Sequence, residues 1–587
     1  MPNEADMEGN RHSLAHLLAA AVLELHPDAK RAIGPAIENG FYYDFEFTVP
    51  LSDDKLREIE KKMRSILPSW DKFEKKEVSK EEAKKLFRDN PYKLELIDEF
   101  SKEGKKLTVY KSGNYIDLCK GSHVENAKNI KSDSFKLTHT AGAYWRGDSK
   151  NIQLTRIYGL AFASKKELDS YLNMMEEAKK RDHTVLGEKL ELFAHFDLIG
   201  KGLPVWLPKG EIIRNEIEKF AIETENKAGY ERVSTPNLAK KELFLKSGHL
   251  PYYEETMYPG MKMDDGTYYL KAMNCPLHHL IYTRKPRSYR EMPVRLAEYG
   301  TCYRNELSGT LTGLLRVRIL RMNDAHIYCT REQIEDEIRK VVKMVVSHLK
   351  VFGLDNYWFR LSLHDSKNRK KYIDEPENWK HCEDILRKCL KVLNVKFIEA
   401  SGEAAFYGPK IDIQFKNVWG REETLSTIQL DFAAKSRFDL NYVDTTGNKN
   451  PDVFVIHRAP LSTHERFVAI LIEHYAGKFP LWLAPEQVRI VTVSDKSNEY
   501  AEEIASKLRK NNVRVEVDSR TESIGKKVRE AQISYIPLIV TIGEKETESN
   551  TLAVRTLDGN VRFGMKVDEF ILKVSSLIEN RELKIDI

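Results

Sequence analysis

A chain of 587 residues has room for three or four domains with ample core, and a formal net charge of +5 excludes a polycation. Any nucleic-acid surface must therefore be a local patch. The six cysteines form no CxxC pair and no regular framework. That excludes a disulfide scaffold, points to a reducing compartment and leaves single thiols as metal-ligand candidates. The polar, acidic start has no signal-peptide core and no apolar run approaches a membrane span, so a cytoplasmic protein without membrane contact is expected.

Residues 13–25 are rich in Ala and Leu and read as a buried helix, with His12 and His16 four apart on one side of it. A Gly/Pro turn at 33–36 feeds an aromatic strand, 41–45, and a charged helix is expected over about 52–66. Further on, Cys119 and His123 stand four apart after a strand. HxxxH and CxxxH together make a His/Cys cluster of the type that binds Zn²⁺ or catalyses hydrolysis, which neither half suggests alone. Residues 139–148 read as a tight turn carrying an aromatic platform and the cation Arg146, suited to a nucleotide end. Residues 165–188 read as one long charged helix with sparse apolar positions, a solvated connector marking a domain boundary.

A new domain opens at 203–210, followed by a helix over about 211–227 and a strand, 230–233, stopped by Thr235-Pro236. Cys275 precedes Pro276 at the end of a strand rich in Tyr and Leu. The stretch 298–330 has a period near two on both sides of Gly309, which predicts two antiparallel strands joined by a loop. Their pairing would bring Arg304, Glu306 and Arg316 together. Two guanidiniums suit phosphate oxygens and a carboxylate accepts from an exocyclic amine; a surface hairpin laced with ion pairs gives the same pattern. Asp324 and His326 close this stretch, and His457 ends the apolar strand 453–457. Cys275, His326 and His457 are thus three N/S donors from three separate strand ends, the set of a catalytic-type Zn²⁺ site, though spacing alone does not bring them together.

An amphipathic helix is expected over 331–352. A strand pair follows, in which the rigid turn Gly408-Pro409 would present Tyr407 and Lys410, and 426–432 reads as a strand. Small and polar residues lead into a helix over 467–475, an anion-facing N-terminus with Arg466 as a fixed cation. Residues 479–485 punctuate a second boundary. Beyond it, strands and helices alternate as an α/β domain of mostly parallel strands. Arg520, Lys526 and Lys527 give it a basic edge, the pattern of an ordinary solvated face as well.

The succession Arg304-Asn305-Glu306, Ser308-Gly309, Arg316-Val317-Arg318, Asn323-Asp324-Ala325-His326 resembles motif 2 of class II aminoacyl-tRNA synthetases, specifically the threonyl-tRNA synthetase family. The resemblance runs from about Arg11 to the last strands. It implies an α+β multidomain fold: an editing domain (1–164), a linker helix (165–188), a class II antiparallel-sheet catalytic core (189–485) and a C-terminal α/β anticodon-binding domain (486–587). The chain is expected to start at the editing domain, without the small ubiquitin-like domain of many bacterial members.

Carried over residue by residue, the resemblance assigns His12, His16, Cys119 and His123, with Lys93 and Asp117 beside them, to hydrolysis of mischarged seryl-tRNA, metal-bound or metal-free. It makes Cys275, His326 and His457 the ligands of one Zn²⁺ per subunit. Met273, Asp324, Tyr407 and Lys410 fall in the threonine pocket. Arg304, Glu306, Arg316 and Arg466 fall on ATP, which brings Mg²⁺: Arg304 to the α-phosphate, Glu306 to the adenine amine, Arg466 to the γ-phosphate. His249 matches a histidine that helps the tRNA ribose attack. Residues 211–236 resemble motif 1, a dimer interface, and Glu546 and Arg555 match positions that read the anticodon.

The two metal-type clusters imply each other. Threonine and valine share a shape, so packing rejects valine weakly, while a metal that takes amine and hydroxyl rejects it strongly. Serine keeps the hydroxyl and loses only a methyl, a difference of roughly 1–3 kcal/mol, so a second, hydrolytic site is needed. The expected activity is threonine–tRNA ligation with editing of seryl-tRNA(Thr), with tRNA(Thr), ATP and threonine as partners of a homodimer. The alternatives are an editing-only hydrolase and a non-catalytic RNA-binding paralogue with a decayed ligase site. They draw on departures from the family pattern: residues 319–322 (Ile-Leu-Arg-Met) where many relatives have Gly-Phe-Thr-Gln, residues 423–426 (Glu-Thr-Leu-Ser) for Trp-Gln-Cys-Gly, and Thr312 for a loop histidine.

Overall fold

The structure, a computed structural model, describes residues 4–587. It forms two compact units, one ending at Glu176 and one spanning Glu177–Ile587.

In the first unit, helix α1 (Glu4–Leu25) is longer than its apolar stretch. It buries Leu14, Leu17, Leu18 and Ala21 in one core with Phe41, Tyr43 and Phe45 of strand β1 (Gly40–Glu46) and Ile59 and Met63 of α2 (Leu56–Ile66). A single 3-10 turn, Asp53–Lys55, occupies the expected start of α2. Helix α3 (Pro91–Lys102) begins as its sequence dictates: Pro91 needs no N–H partner, and the Asn90 side chain accepts from Lys93 N at 3.1 Å. Strand β2 (Tyr115–Leu118) carries Asp117. Strand β3 (Phe135–Tyr144) pairs antiparallel with β4 (Gln153–Ala161), which pairs antiparallel with β1.

The single helix expected over 165–188 is two. Helix α4 (Lys165–Arg181) stops at Asp182, whose carboxylate caps α5 (His183–Lys189) by accepting from Thr184 N at 2.8 Å and Val185 N at 3.3 Å. Satisfying those two orphan donors from outside the helix is what breaks it. Nor is α5 solvated: His183 and Leu186 are buried.

The second unit is built on helix α6 (Pro208–Lys227), strand β5 (Glu231–Arg232), helix α7 (Cys275–Thr283), strands β6 (Val294–Tyr303) and β7 (Ile319–Thr330), helix α8 (Ile334–Val351), strands β8 (Tyr357–Leu363), β9 (Phe397–Ser401), β10 (Lys410–Lys416), β11 (Glu422–Asp431) and β12 (Val453–Ala459), and helix α9 (His464–Tyr475). The eight strands form one sheet in the order β5-β6-β7-β12-β11-β10-β8-β9, antiparallel except at its two edge pairs. Val341 and Val345 of α8, Phe467 and Leu471 of α9, and Phe454 and Ile456 of β12 share its core. Each such side chain contributes about 1.5–3 kcal/mol by leaving water.

Two expectations are corrected here. The hairpin strands end sooner than the alternation implied: Tyr303 pairs with Ile319, so Arg304, Glu306 and Arg316 sit in the loop 304–318. Cys275 does not end a strand. It is the first residue of α7, with Pro276 in the first turn, where proline is favoured.

Beyond 485, strands β13 (Val488–Thr492), β14 (Val515–Asp518), β15 (Leu538–Ile542), β16 (Thr551–Thr556) and β17 (Val561–Lys566) order as β14-β13-β15-β16-β17. Helices α10 (Asn498–Lys510), α11 (Ile524–Ile533) and α12 (Val567–Glu579) accompany them. Only β14, β13 and β15 run parallel; the last two strands are antiparallel, so the sheet is more mixed than expected. The basic edge is neutralised. Arg520 pairs with Asp518 and Glu530, Lys526 with Glu522, and buried Lys527 donates to Thr492 O at 2.9 Å. Among the described residues no helix is long and apolar enough to cross a membrane.

Candidate active site

Strands β7 and β12 place His326 opposite His457, ring centroids 4.6 Å apart, and the α7 N-terminus brings in Cys275. The three ligand atoms lie within 4.8 Å of one another. Burial pushes the Cys275 thiol well up and the His326 imidazole well down, so these two are neutral donors until a cation compensates. Both rings are oriented from behind. His457 Nε2 lies 3.1 Å from Asp431 Oδ2. His326 Nδ1 lies 2.8 Å from His278 Nδ1, and His278 Nε2 is 3.0 Å from Glu298 Oε2. A soft sulfur and two imidazoles with such outer partners could hold a metal ion such as zinc with a coordination position left open.

These donors lie at one end of a cavity of about 470 Å³. Met273, Asp324, Tyr407 and Gln429 line it nearby, and Met322 and Thr424 to Thr427 form part of its wall. Asn274, fully buried, donates to Asp324 Oδ2 at 3.0 Å. Tyr407 donates to Gln429 Oε1 at 2.5 Å. Elsewhere in the cavity are Arg304, Glu306, Arg316 and Arg466. Arg316 pairs with Glu306 at 2.8 Å, while among the described residues the Arg304 guanidinium has no hydrogen-bond or ion-pair partner. Thr463 caps α9 by accepting from Arg466 N at 3.3 Å, and Arg466 Nε donates to Leu315 O at 3.2 Å. Burial pulls the Arg466 guanidinium below its usual range, Glu423 opposing and Arg304 and Arg316 reinforcing. Three guanidiniums against one carboxylate make this part of the cavity receptive to polyphosphate.

Two expected residues lie apart from the main cavity. Lys410 does not line it; its ammonium is 3.0 Å from Asp412. His249 lines a smaller adjoining cavity with Met273, Cys275, Tyr407 and His457. Its Nδ1 is 2.7 Å from Ser247 Oγ, and burial brings its pKa to about 4. The sequence reading missed Asn274, His278, Glu298, Gln429 and Asp431. His278 had a signal, since it follows Cys275 by three on the same helix face. Gln429 had none, since only the strand register sets it opposite His457 across β11 and β12.

In the first unit, His12, His16, Cys119 and His123 also hold ligand atoms within 4.8 Å of one another. Cys119 Sγ is 3.4 Å from His12 Nε2 and from His123 Nε2. Burial lowers His16 to about 3 and His123 to about 2 and raises Cys119 to about 11. Lys93 and Asp117 are spent on each other, Nζ to Oδ1 at 2.7 Å, with Tyr43, Tyr115 and Arg31 also on Asp117. The platform expected at 139–148 is open only at Tyr144. Trp145 is buried and donates to Glu95, and Arg146 pairs with Glu95 and Glu99. Burying that ring and neutralising the cation leave Tyr144 as the exposed aromatic of the segment. In the C-terminal region, Glu546 accepts from Gly543 N at 3.0 Å and Arg555 donates to Gly559 O at 3.2 Å.

Comparison with known proteins agrees with this layout. Residues 259–475 match the tRNA synthetase class II core domain (G, H, P, S and T), residues 487–577 the anticodon binding domain, and residues 107–158 the threonyl and alanyl tRNA synthetase second additional domain. The chain is 48% identical over 567 residues to the threonine–tRNA ligase of Staphylococcus carnosus, covering 96% of this chain and 87% of that protein. It is 47% identical over 571 residues to that of Staphylococcus aureus, covering 97% and 88%. A solved structure from Cryptosporidium parvum, described as the RNA binding domain of threonyl-tRNA synthetase, superposes with a TM-score of 0.64 at 33% identity over 69% of this chain and 99% of that one. With relatives this similar over nearly its whole length, the chain belongs to the threonine–tRNA ligase family of class II synthetases.

Proposed function

We propose that the protein activates threonine with ATP and transfers the threonyl group to tRNA(Thr), with hydrolytic editing of seryl-tRNA(Thr) in a separate unit. One observation carries this reading: the Cys275/His326/His457 set and the Arg304/Arg316/Arg466 set open into a single cavity. A decayed ligase site would have no reason to keep both.

Zn²⁺ held by Cys275, His326 and His457 would supply a Lewis-acidic point that takes the amine and hydroxyl of threonine and leaves valine unsatisfied. Asp324, held by Asn274, accepts from the same hydroxyl. Tyr407 and Gln429 close the pocket around the amino acid, and Lys410, on Asp412, lies further out. Arg304 holds the α-phosphate, so the threonine carboxylate attacks phosphorus while pyrophosphate leaves towards Arg466; Mg²⁺ carried by ATP would add neutralising charge. Glu306 accepts from the adenine amine once ATP displaces Arg316 from it. Charge stabilisation by a fixed cationic array suffices, without covalent catalysis. His249, buried and neutral, assists the ribose hydroxyl in the transfer step.

His12, His16, Cys119 and His123 hydrolyse seryl-tRNA, with Lys93 and Asp117 as a buried support. Glu546 and Arg555 read the anticodon. We assign editing to 1–164, the connector to 165–188, ligation to 189–485 and anticodon binding to 486–587, in a cytoplasmic homodimer joined through the α6–β5 region. Met322 replaces a polar side chain in the cavity wall without disturbing the cations or the metal-type donors, so the ligase reading stands. Threonine-dependent ATP–pyrophosphate exchange on the purified chain, with serine and valine as comparisons and zinc measured on the same sample, tests it. Exchange with threonine, weaker with serine and absent with valine, is expected. No exchange from a chain that still deacylates seryl-tRNA would leave an editing hydrolase.

A further inference from the structure

The loop 304–318 carries Arg316 and also supplies, at Leu315, the carbonyl that accepts from Arg466. The position of this half of the loop therefore sets Arg316 and Arg466, two of the cavity's arginines, while Arg304 stands at the loop's start. The middle of this loop is anchored at a buried point. Leu314 N donates to His183 Nε2 at 3.1 Å, and His183 Nδ1 lies 2.8 Å from Glu473 Oε1, each of these two side chains only 3% exposed. Because Nε2 accepts a backbone N–H, the ring proton sits on Nδ1 and is donated to Glu473, so the carboxylate fixes the tautomer the loop needs. Neighbouring Gly313 has φ +45°, and a Cβ there would stand 2.2 Å from His183 Nε2. Only glycine lets the ring come this close.

Neither His183 nor Glu473 lines the cavity. The first residue of α5 thus reaches the nucleotide loop, and the carboxylate steering it belongs to α9, the helix that also bears Arg466. We infer that His183 and Glu473 are positioning residues for ATP: the Glu473–His183–Leu314 hydrogen-bond chain holds the loop so that Arg316 faces the phosphates and Leu315 seats Arg466. This rests on the proposed ATP site. It is specific to the nucleotide, since the metal-type donors and Asp324 stand on β7, β12 and α7, outside the loop.

The test is steady-state pyrophosphate exchange on the full chain, with zinc content and seryl-tRNA deacylation measured as checks on integrity. His183→Ala is expected to raise the KM for ATP about tenfold or more, as small displacements of positioning groups do, with the KM for threonine held within about twofold. His183→Gln, whose side-chain oxygen accepts near the position of Nε2, recovers most of the loss. Gly313→Ala also raises the KM for ATP, and by a smaller factor when His183 is already Ala, because the clashing ring is gone. An unchanged KM for ATP in His183→Ala, an equal rise for threonine, or a Gln variant no better than Ala overturns the inference while leaving the proposed function intact. If His183→Ala does not fold, Gly313→Ala decides: no change in its KM for ATP overturns the inference. A wild-type chain without threonine-dependent exchange overturns the proposed function and this inference with it.

Discussion

His326 and His457 lie directly opposite each other on adjacent antiparallel strands, and each ring is held from behind by a different partner, His278 for one and Asp431 for the other. The register of two central strands therefore sets the spacing of two donors before any ligand arrives. The third donor, Cys275, comes from a helix start preceded by buried Asn274, whose side chain is turned to Asp324.

Removing the outer partner of His326 should therefore weaken metal binding without removing a ligand. His278→Ala is expected to lower zinc affinity about 10–100-fold, read by chelator competition, and Cys275→Ser to lower zinc content outright. Unchanged competition curves for His278→Ala would show that the Glu298–His278 arrangement is packing alone.

Replacing Arg466 by Ala is expected to cost about 10²–10³-fold in kcat/KM for threonine-dependent exchange, the scale of removing one preorganised charge from a transition-state array. Deacylation of seryl-tRNA should be untouched, since among the described residues the guanidinium hydrogen-bonds only Leu315 and Thr424, both outside the first unit. An Arg466→Ala enzyme with near-normal exchange would remove the polyphosphate reading of the cavity.

The reciprocal separation applies to the first unit. Cys119 Sγ bridges the rings of His12 and His123 at 3.4 Å each, so Cys119→Ala uncouples the cluster. Seryl-tRNA deacylation is expected to fall about 10²-fold or more while pyrophosphate exchange stays at the wild-type rate. Equal loss of both activities would mean the cluster supports folding and not hydrolysis.

Much of this was legible in the chain, and the failures have local causes. The period near two on both sides of Gly309 marked these strands although, as central members of the sheet, they are buried or half-buried at every position. The same alternation continued through Arg316-Val317-Arg318 and misled: Arg304 N still donates to Arg318 O in register, but Arg318 N turns away to Gly202 O and the ladder ends there. The proline after Cys275 was read as a strand stop, though proline in a first helical turn is equally well founded. Asp182 broke the connector helix with a cap its sequence displayed. What no pattern could reveal is pairing across long separations, such as Glu298 behind His278 or Glu473 behind His183. Those partners are chosen by the fold, and only the side chains facing the cavity carry a recognisable order.

Glu465 gives a pH-dependent stability. It is buried at the start of α9, beside Arg466, and accepts from Arg321 N at 3.0 Å. Desolvation outweighs that bond and raises its pKa from 4.5 to about 7. A raised carboxyl pKa means the folded chain keeps a proton the unfolded chain releases. The stability it contributes is thus complete below about pH 4.5 and is lost as pH climbs through about 7. The loss is roughly 3 kcal/mol at 1.36 kcal/mol per unit. Glu465→Gln keeps an oxygen for Arg321 N and never ionises. Thermal melts of wild type and Glu465→Gln between pH 4 and pH 8 should nearly coincide at the acid end, with the variant gaining by a few degrees towards neutral pH. Other groups titrate in that window, among them His16 and His249, but they are common to both proteins and cancel in the difference. Parallel curves across the whole range would mean that Glu465 is already ionised in the folded protein, with a charge partner that burial has not displaced.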